Sequence, residues 1–291
     1  RGTRNADDLL SDDGIDAVAI ATPVATHFDL ARRALERGKH VWVEKPLTRS
    51  VKEAAALVAL AEKHRRVLMV DHTYLYSAPV RTLREMVTGG SLGKVLYANS
   101  TRVNLGLFQK DINVVWDLAP HDLSIMNFLL GARPERVSVE GSRNVNPAIE
   151  DVAFVTLRYP GGALFHLHVS WLDPCKIRRI TIVGDKQMAV YDDLDSAEPI
   201  RVYDKGVEKL PYLHSYGEFR MFYRIGNMVA PRIEMHEPLR AACGAFLGAI
   251  QGGKPTASDG RAGAALVAVL EAAQASVERG GASVPVDYAG L

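Results

Sequence analysis

The sequence predicts an α/β domain built on a parallel sheet, followed by an α+β domain, with the boundary near residue 90. Three observations carry this. Short apolar runs alternate with helix-period segments through residues 16–87, a succession of strand-like runs then replaces that alternation, and polar residues gather where the first apolar runs end.

Residues 5–10 suit a short helix or connection, and Ser11, Asp12, Asp13 and Gly14 are turn residues. DAVAIAT (16–22) is a continuous apolar run with a polar exit, as in a parallel strand buried on both faces, and Pro23 closes it. A helix is expected over 24–37, with Phe28, Ala31 and Leu35 on one face and Gly38 as its stop. HVWV (40–43) is a second strand, 50–64 a helix with Leu57, Leu60 and Ala61 inward, and VLMV (67–70) a third strand. Right-handed crossovers place such helices over the sheet and leave ligands at the carboxyl ends of the strands. Those ends are Thr22-Pro23, Glu44-Lys45-Pro46 and Asp71-His72-Thr73.

A helix over 78–87 ends at Gly89-Gly90; beyond it come a strand over 94–104, a helix over about 118–130, and strand-like runs at 135–142, 151–159, 163–172 and 177–183. Within the run at 163–172, Ala163, Phe165, Leu167, Val169 and Trp171 point one way and Leu164, His166, His168 and Ser170 the other. The apolar face is expected to carry helices and the histidine face to meet solvent or another subunit. His166 and His168 have no carboxylate or third histidine placed to complete a metal site. Residues 210–237 hold Tyr212, Tyr216, Phe219, Phe222 and Tyr223 without clear period, which suits an extended arm. Two helices finish the chain. Leu239, Cys243, Phe246 and Ile250 mark one apolar face; Ser258 or Asp259 caps the other helix, whose core stripe is Leu266, Val269, Leu270, Ala273 and Val277. The expected domains are 1–90 and 91–291, with the C-terminal helices free to pack back on the first.

A chain of 291 residues, 47% hydrophobic, can fill two cores. Thirty-five Lys plus Arg against thirty-four Asp plus Glu gives no general attraction to nucleic acid or to an anionic membrane. Cys175 and Cys243 are too few for a disulfide framework or zinc site, and their settings suit buried thiols in a reducing cytoplasm. No stretch resembles a membrane span or signal peptide, so a soluble cytoplasmic protein is expected.

Lys45 follows a buried strand, where its ammonium would project into the crevice and hold a substrate hydroxyl. Alternatively it is a surface lysine after a strand. His121 is expected just inside a helix, with Pro120 in the first turn; the helix N-terminus lowers its pKa and Asp117 raises it, leaving a general base near neutrality. The competing reading is a capping Asp117 and a hydrogen-bonded core His121. Asp122 reads as a solvated helix-start carboxylate. No Ser-His-Asp set, CxxC, HExxH, GxxxxGK[ST] or GxGxxG occurs, so these residues leave the reaction class open.

Thr22-Pro23 with His27, GKHVWVEKPLT (38–48) and WDLAPHD (116–122) resemble the glucose–fructose oxidoreductase, inositol dehydrogenase and rhizopine-catabolism group of NAD(P)-dependent oxidoreductases. SLGKV (91–95) and EPLRAACGAFLGAI (237–250) match its usual spacing, so the resemblance spans essentially the whole chain. It implies a Rossmann-type domain, then an α/β domain with a large, mostly antiparallel sheet that serves homodimer or homotetramer assembly. It also implies hydride transfer between a sugar, polyol or nucleotide-sugar carbon and NAD or NADP. Lys45, Asp117 and His121 would be catalytic; Thr22, Pro23, His27, Glu44 and Lys45 would border the nicotinamide; Tyr74, Arg102, Asn113 and Trp116 would line the substrate pocket. The family's opening strand, glycine loop and helix would precede Arg1, so a fragment lacking its first βαβ unit is expected. Two further readings are a non-catalytic sugar-binding or assembly homologue without the cofactor half, and NAD-assisted glycoside cleavage.

Overall fold

The computed structural model describes residues 2–209 and 221–291. After α1 (Ala6–Leu10) come β1 (Ala17–Ile20), α2 (His27–Glu36), β2 (His40–Glu44), α3 (Val51–His64) and β3 (Leu68–Asp71), and the three strands form a parallel sheet in the order β1-β2-β3. Ala31, Ala34 and Leu35 of α2 and Ala54, Leu57 and Ala61 of α3 are buried against it, as helical spacing requires of covering helices. Ser50 caps α3, its hydroxyl accepting from the Glu53 N–H at 3.2 Å.

Next come α4 (Ala78–Thr88), β4 (Val95–Val103), α5 (Val114–Leu130), β5 (Arg136–Ser142), β6 (Val152–Arg158), β7 (Leu164–Ser170), β8 (Ile177–Gly184), β9 (Met188–Asp192), β10 (Ile200–Lys209) and β11 (Met221–Val229). The chain closes with α6 (Pro238–Gly252), α7 (Gly260–Glu278) and β12 (Val284–Pro285). Among the described residues the second sheet has nine strands in the order β11-β10-β9-β8-β4-β7-β6-β5-β12, antiparallel throughout except for the β4–β7 pair. Its inner face buries Phe165, Leu167, Val169 and Trp171 with α5 and α7; His166 lies outward, as the alternation predicts.

Some expectations differ from the structure. Both cysteines are exposed: Cys175 lies in the turn after β7, and α6 buries Ala242, Phe246 and Ala249, which turns Leu239 and Cys243 outward. Within 210–237, residues 221–229 form a strand paired with β10 rather than a free arm, with Phe222 and Tyr223 exposed on it. Tyr212, Tyr216 and Phe219 lie outside the described residues.

The last helix ties both sheets together. Asp259 caps α7 by accepting from the Ala262 N–H at 2.8 Å, Ala264 and Val267 enter the core of the first sheet, and Leu266, Val269 and Leu270 enter that of the second. A Cβ at Gly263 would run into Val70 of β3, so the close approach of α7 depends on this glycine. Gly263→Ala is expected to cost about 1–3 kcal/mol by overpacking, read as a fall in the denaturant midpoint.

Candidate active site

Three chain segments converge where the two sheets meet: the carboxyl end of β2, the turn after β3, and α5. Asn113 caps α5, its amide oxygen accepting from the Trp116 N–H at 3.2 Å, so the helix starts at Val114, earlier than the apolar pattern suggests. Pro120 therefore lies inside the helix, without an N–H for the Trp116 carbonyl four residues back. His121 is likewise in the helix interior, beyond the reach of the N-terminal dipole invoked from the sequence.

Lys45 Nζ donates to the Asp117 backbone carbonyl at 2.7 Å and to Asp117 Oδ1 at 3.0 Å, with both side chains largely buried. Trp171 Nε1, just past β7, donates to Asp117 Oδ2 at 3.0 Å. Asp117 thus holds the ammonium in one orientation through charge-assisted bonds and is itself anchored to the large sheet.

His121 meets Tyr74 edge to face with ring centroids 5.2 Å apart, and its buried Nδ1 has no hydrogen-bond partner among the described residues. Burial, followed by the charges of Arg102 and Lys45 and by His72 and Arg178, holds its pKa well below the usual histidine value of 6.5. The expected rise from Asp117 is overridden, because both carboxylate oxygens are engaged by Lys45 and Trp171. The ring is a neutral proton acceptor at pH 7.

Arg102 and Asp122 form a buried ion pair, supported by the Ser100 hydroxyl donating to Asp122 Oδ1 at 2.8 Å. Asp122 is 1% exposed, not solvated: it faces β4 rather than the helix start. The Arg102 guanidinium lies 4.8 Å from the centre of the Tyr74 ring. The Tyr74 hydroxyl accepts from Arg102 at 3.3 Å and Arg178 at 3.0 Å and donates to Asp193 at 3.2 Å. Arg178 stands directly opposite Arg102 in the β4–β8 register; Tyr74, Asp122 and Asp193 offset the like charges. The sequence places His72 at a strand end and Trp171 on the inward face of its strand but assigns neither a part in the site, and Arg178 and Asp193 carry no local spacing that announces them.

On the other side of Lys45, Thr22 and Pro23 are exposed at the end of β1. His27 is buried beneath them, with its ring nitrogens 2.8 Å from the Thr22 carbonyl and 2.9 Å from the Pro46 carbonyl, so it fixes the two strand ends against each other. Glu44 is half-buried opposite Asp71; burial and then Asp71 raise its carboxyl pKa, and burial raises that of Asp71. Asn113 also donates to Glu150 and Gln274 at 2.9 and 3.0 Å, which places its amide inside the α5 cap. Trp116 is half-buried between the cores of the two sheets.

Two family models match the chain. One, described as an oxidoreductase family with an NAD-binding Rossmann fold, matches residues 2–72; the other, a GFO/IDH/MocA C-terminal domain, matches residues 80–190, and together they cover more than half of it. UDP-N-acetylglucosamine 3-dehydrogenase of Acidithiobacillus ferrooxidans is 28% identical over 281 residues, which span 96% of this chain and 83% of that protein. Its solved structure superposes with a TM-score of 0.80, covering 96% of this chain and 84% of the other. The scyllo-inositol 2-dehydrogenase (NAD(+)) of Bacillus subtilis is 29% identical over 177 residues, 57% of this chain and 52% of the relative.

Proposed function

The chain belongs to the Gfo/Idh/MocA family of oxidoreductases, and from that premise we propose that it oxidises a secondary hydroxyl of a nucleotide sugar, with free sugars and polyols as the wider substrate class. One observation carries the reading: an ammonium pinned by Asp117 stands in one site with a neutral His121 whose Nδ1 has no partner among the described residues. The nucleotide-sugar preference rests on the similarity to the UDP-N-acetylglucosamine enzyme along 96% of this chain.

The exposed strand ends at Thr22-Pro23 and the half-buried Glu44 beside Lys45 fit the nicotinamide end of a dinucleotide, NAD or NADP. A nicotinamide held there by Thr22, Pro23 and Glu44 would supply the hydride acceptor. Lys45 donates a hydrogen bond to the substrate hydroxyl and favours its alkoxide character, while Asp117 keeps the ammonium from swinging away. His121 takes the hydroxyl proton on its neutral ring. Arg102, Arg178 and Tyr74 wall the site next to His121 and offer donors to a polar substrate. His27 acts as a positioning residue by clamping the strand ends.

The test is a panel of UDP-sugars, aldoses and inositols with NAD and NADP, following absorbance of the reduced nicotinamide. Oxidation of a UDP-sugar is the expected result. Absence of both turnover and nicotinamide binding would overturn the reading. Because His121 must be neutral to act as the base, its lowered pKa keeps kcat/KM for oxidation flat from neutral into mildly acid pH, with any histidine limb below pH 6.5. A limb centred at or above pH 6.5 would contradict this assignment.

The open face of the large sheet carries Tyr97, Phe154 and Leu164 exposed, with Phe154 stacked 4.5 Å from His168. We assign this face to self-association, as homodimer or homotetramer. Phe154→Lys is expected to shift the light-scattering mass to that of the monomer; an unchanged mass removes the face from the interface.

A further inference from the structure

A cavity of about 260 Å³ opens on His72 and on Ser124, one turn beyond His121 along α5. It runs past Asn127 and Leu266 to Gly131 and Arg133, which are exposed. His72 is 2% exposed, and neither ring nitrogen has a hydrogen-bond partner among the described residues. A buried imidazole with both nitrogens unmet, lining a space with room for several waters at about 30 Å³ each, is an incomplete polar chain.

The near end of that chain is His121. Tyr74, two residues after His72, packs on the His121 ring at 5.2 Å, and Ser124 Oγ donates to the His121 carbonyl at 2.7 Å while lining the cavity. The turn carrying His72 and the helix carrying His121 are therefore in contact, and His121 Nδ1 is also buried and without a partner among the described residues.

We propose that His72 is a proton-relay residue, carrying the proton that His121 takes from the substrate out through waters in this cavity to the surface at Gly131 and Arg133. The inference rests on the oxidoreductase reading above. In the step, the substrate O–H bond breaks and an N–H bond forms on His121, while the carbon-bound hydrogen leaves with its electron pair for the nicotinamide. The products are ketone, reduced nicotinamide and one proton. His72 accepts that proton on one nitrogen and releases a proton from the other. Lys45, Arg102 and Arg178 face His121, and Lys45 also faces His72; these cations disfavour a stored charge on either ring, so the proton passes on. Burial and Lys45 hold the His72 pKa down to about 4, as suits a transient carrier.

The experiment compares His72→Leu and His72→Asn with the wild type in oxidation of the substrate found by the panel. The expected result is a kcat lower by about 10-fold or more, within the range of proton-transfer catalysis, with KM unchanged and with imidazole in the buffer restoring the rate. If His72→Leu does not fold, His72→Asn, polar but not protonatable near neutrality, decides. Wild-type kcat in a folded variant, or a loss that imidazole does not restore, overturns the relay while leaving the oxidoreductase reading intact. Nuclear magnetic resonance of the cofactor-free protein supplies a readout independent of turnover, namely exchange of the His121 ring N–H with solvent. Slower exchange in His72→Asn supports the relay and equal exchange overturns it, even if no substrate is found and the oxidoreductase reading itself has failed.

Discussion

Lys45→Met lowers kcat for hydroxyl oxidation by about 10²-fold or more, and His121→Ala does the same, the scale on which proton transfer and charge positioning contribute. The methionine fills the space of the lysine stem but cannot hold the substrate oxygen, and Asp117 then keeps Trp171 as its one side-chain partner among the described residues. The alanine removes the proton acceptor beside the substrate, and Asp117, already engaged by Lys45 and Trp171, does not stand in for it. Steady-state kinetics with a saturating dinucleotide checks both. Unchanged turnover in the two variants would remove Lys45 and His121 from the active site.

The second large effect is on stability. Arg102→Met strands the Asp122 carboxylate, 1% exposed, with the Ser100 hydroxyl as its one remaining side-chain partner among the described residues. Breaking a buried pair in this way costs about 3–5 kcal/mol. In calorimetry each kcal/mol lowers Tm by about 2–4 °C in a domain of 150–250 residues, so a fall of several degrees is expected. Removing both charges in Arg102→Met with Asp122→Leu recovers much of the loss, since an apolar pair leaves no uncompensated ion. A single variant that melts like the wild type would show that Asp122 is not held by Arg102. The exposed Arg32–Glu36 pair gives the contrast: Arg32→Met is expected to leave Tm nearly unchanged, because exposed helix pairs contribute little.

Both effects come from residues whose types were legible and whose settings were only partly so. Lys45 follows a strand of alternating burial, and Asp117 and His121 are one turn apart on a helix; neighbours in sequence dictate those placements. The partners were another matter. Asp122 reads locally as a helix-start carboxylate, and only the packing of α5 on β4 delivers Arg102 to it. His121 reads as a base tuned by a dipole and by Asp117, but the cap at Asn113 lengthens the helix, and Asp117 turns to Lys45 and Trp171.

The sequence by itself determined the parallel βαβ start, the change to a sheet-rich second part, the alternating faces of β7, and the segments that carry Lys45 and His121. Each of these follows from periodicity or a motif within a few turns of chain, where backbone geometry leaves little choice. Only the tertiary structure decided that Arg178 faces Arg102, that Trp171 anchors Asp117, that α7 serves both cores, and that His72 lines a cavity beside α5. Those relations depend on which strands pair and in what register, a choice made by the burial of the whole sheet and not by any stretch of the chain alone.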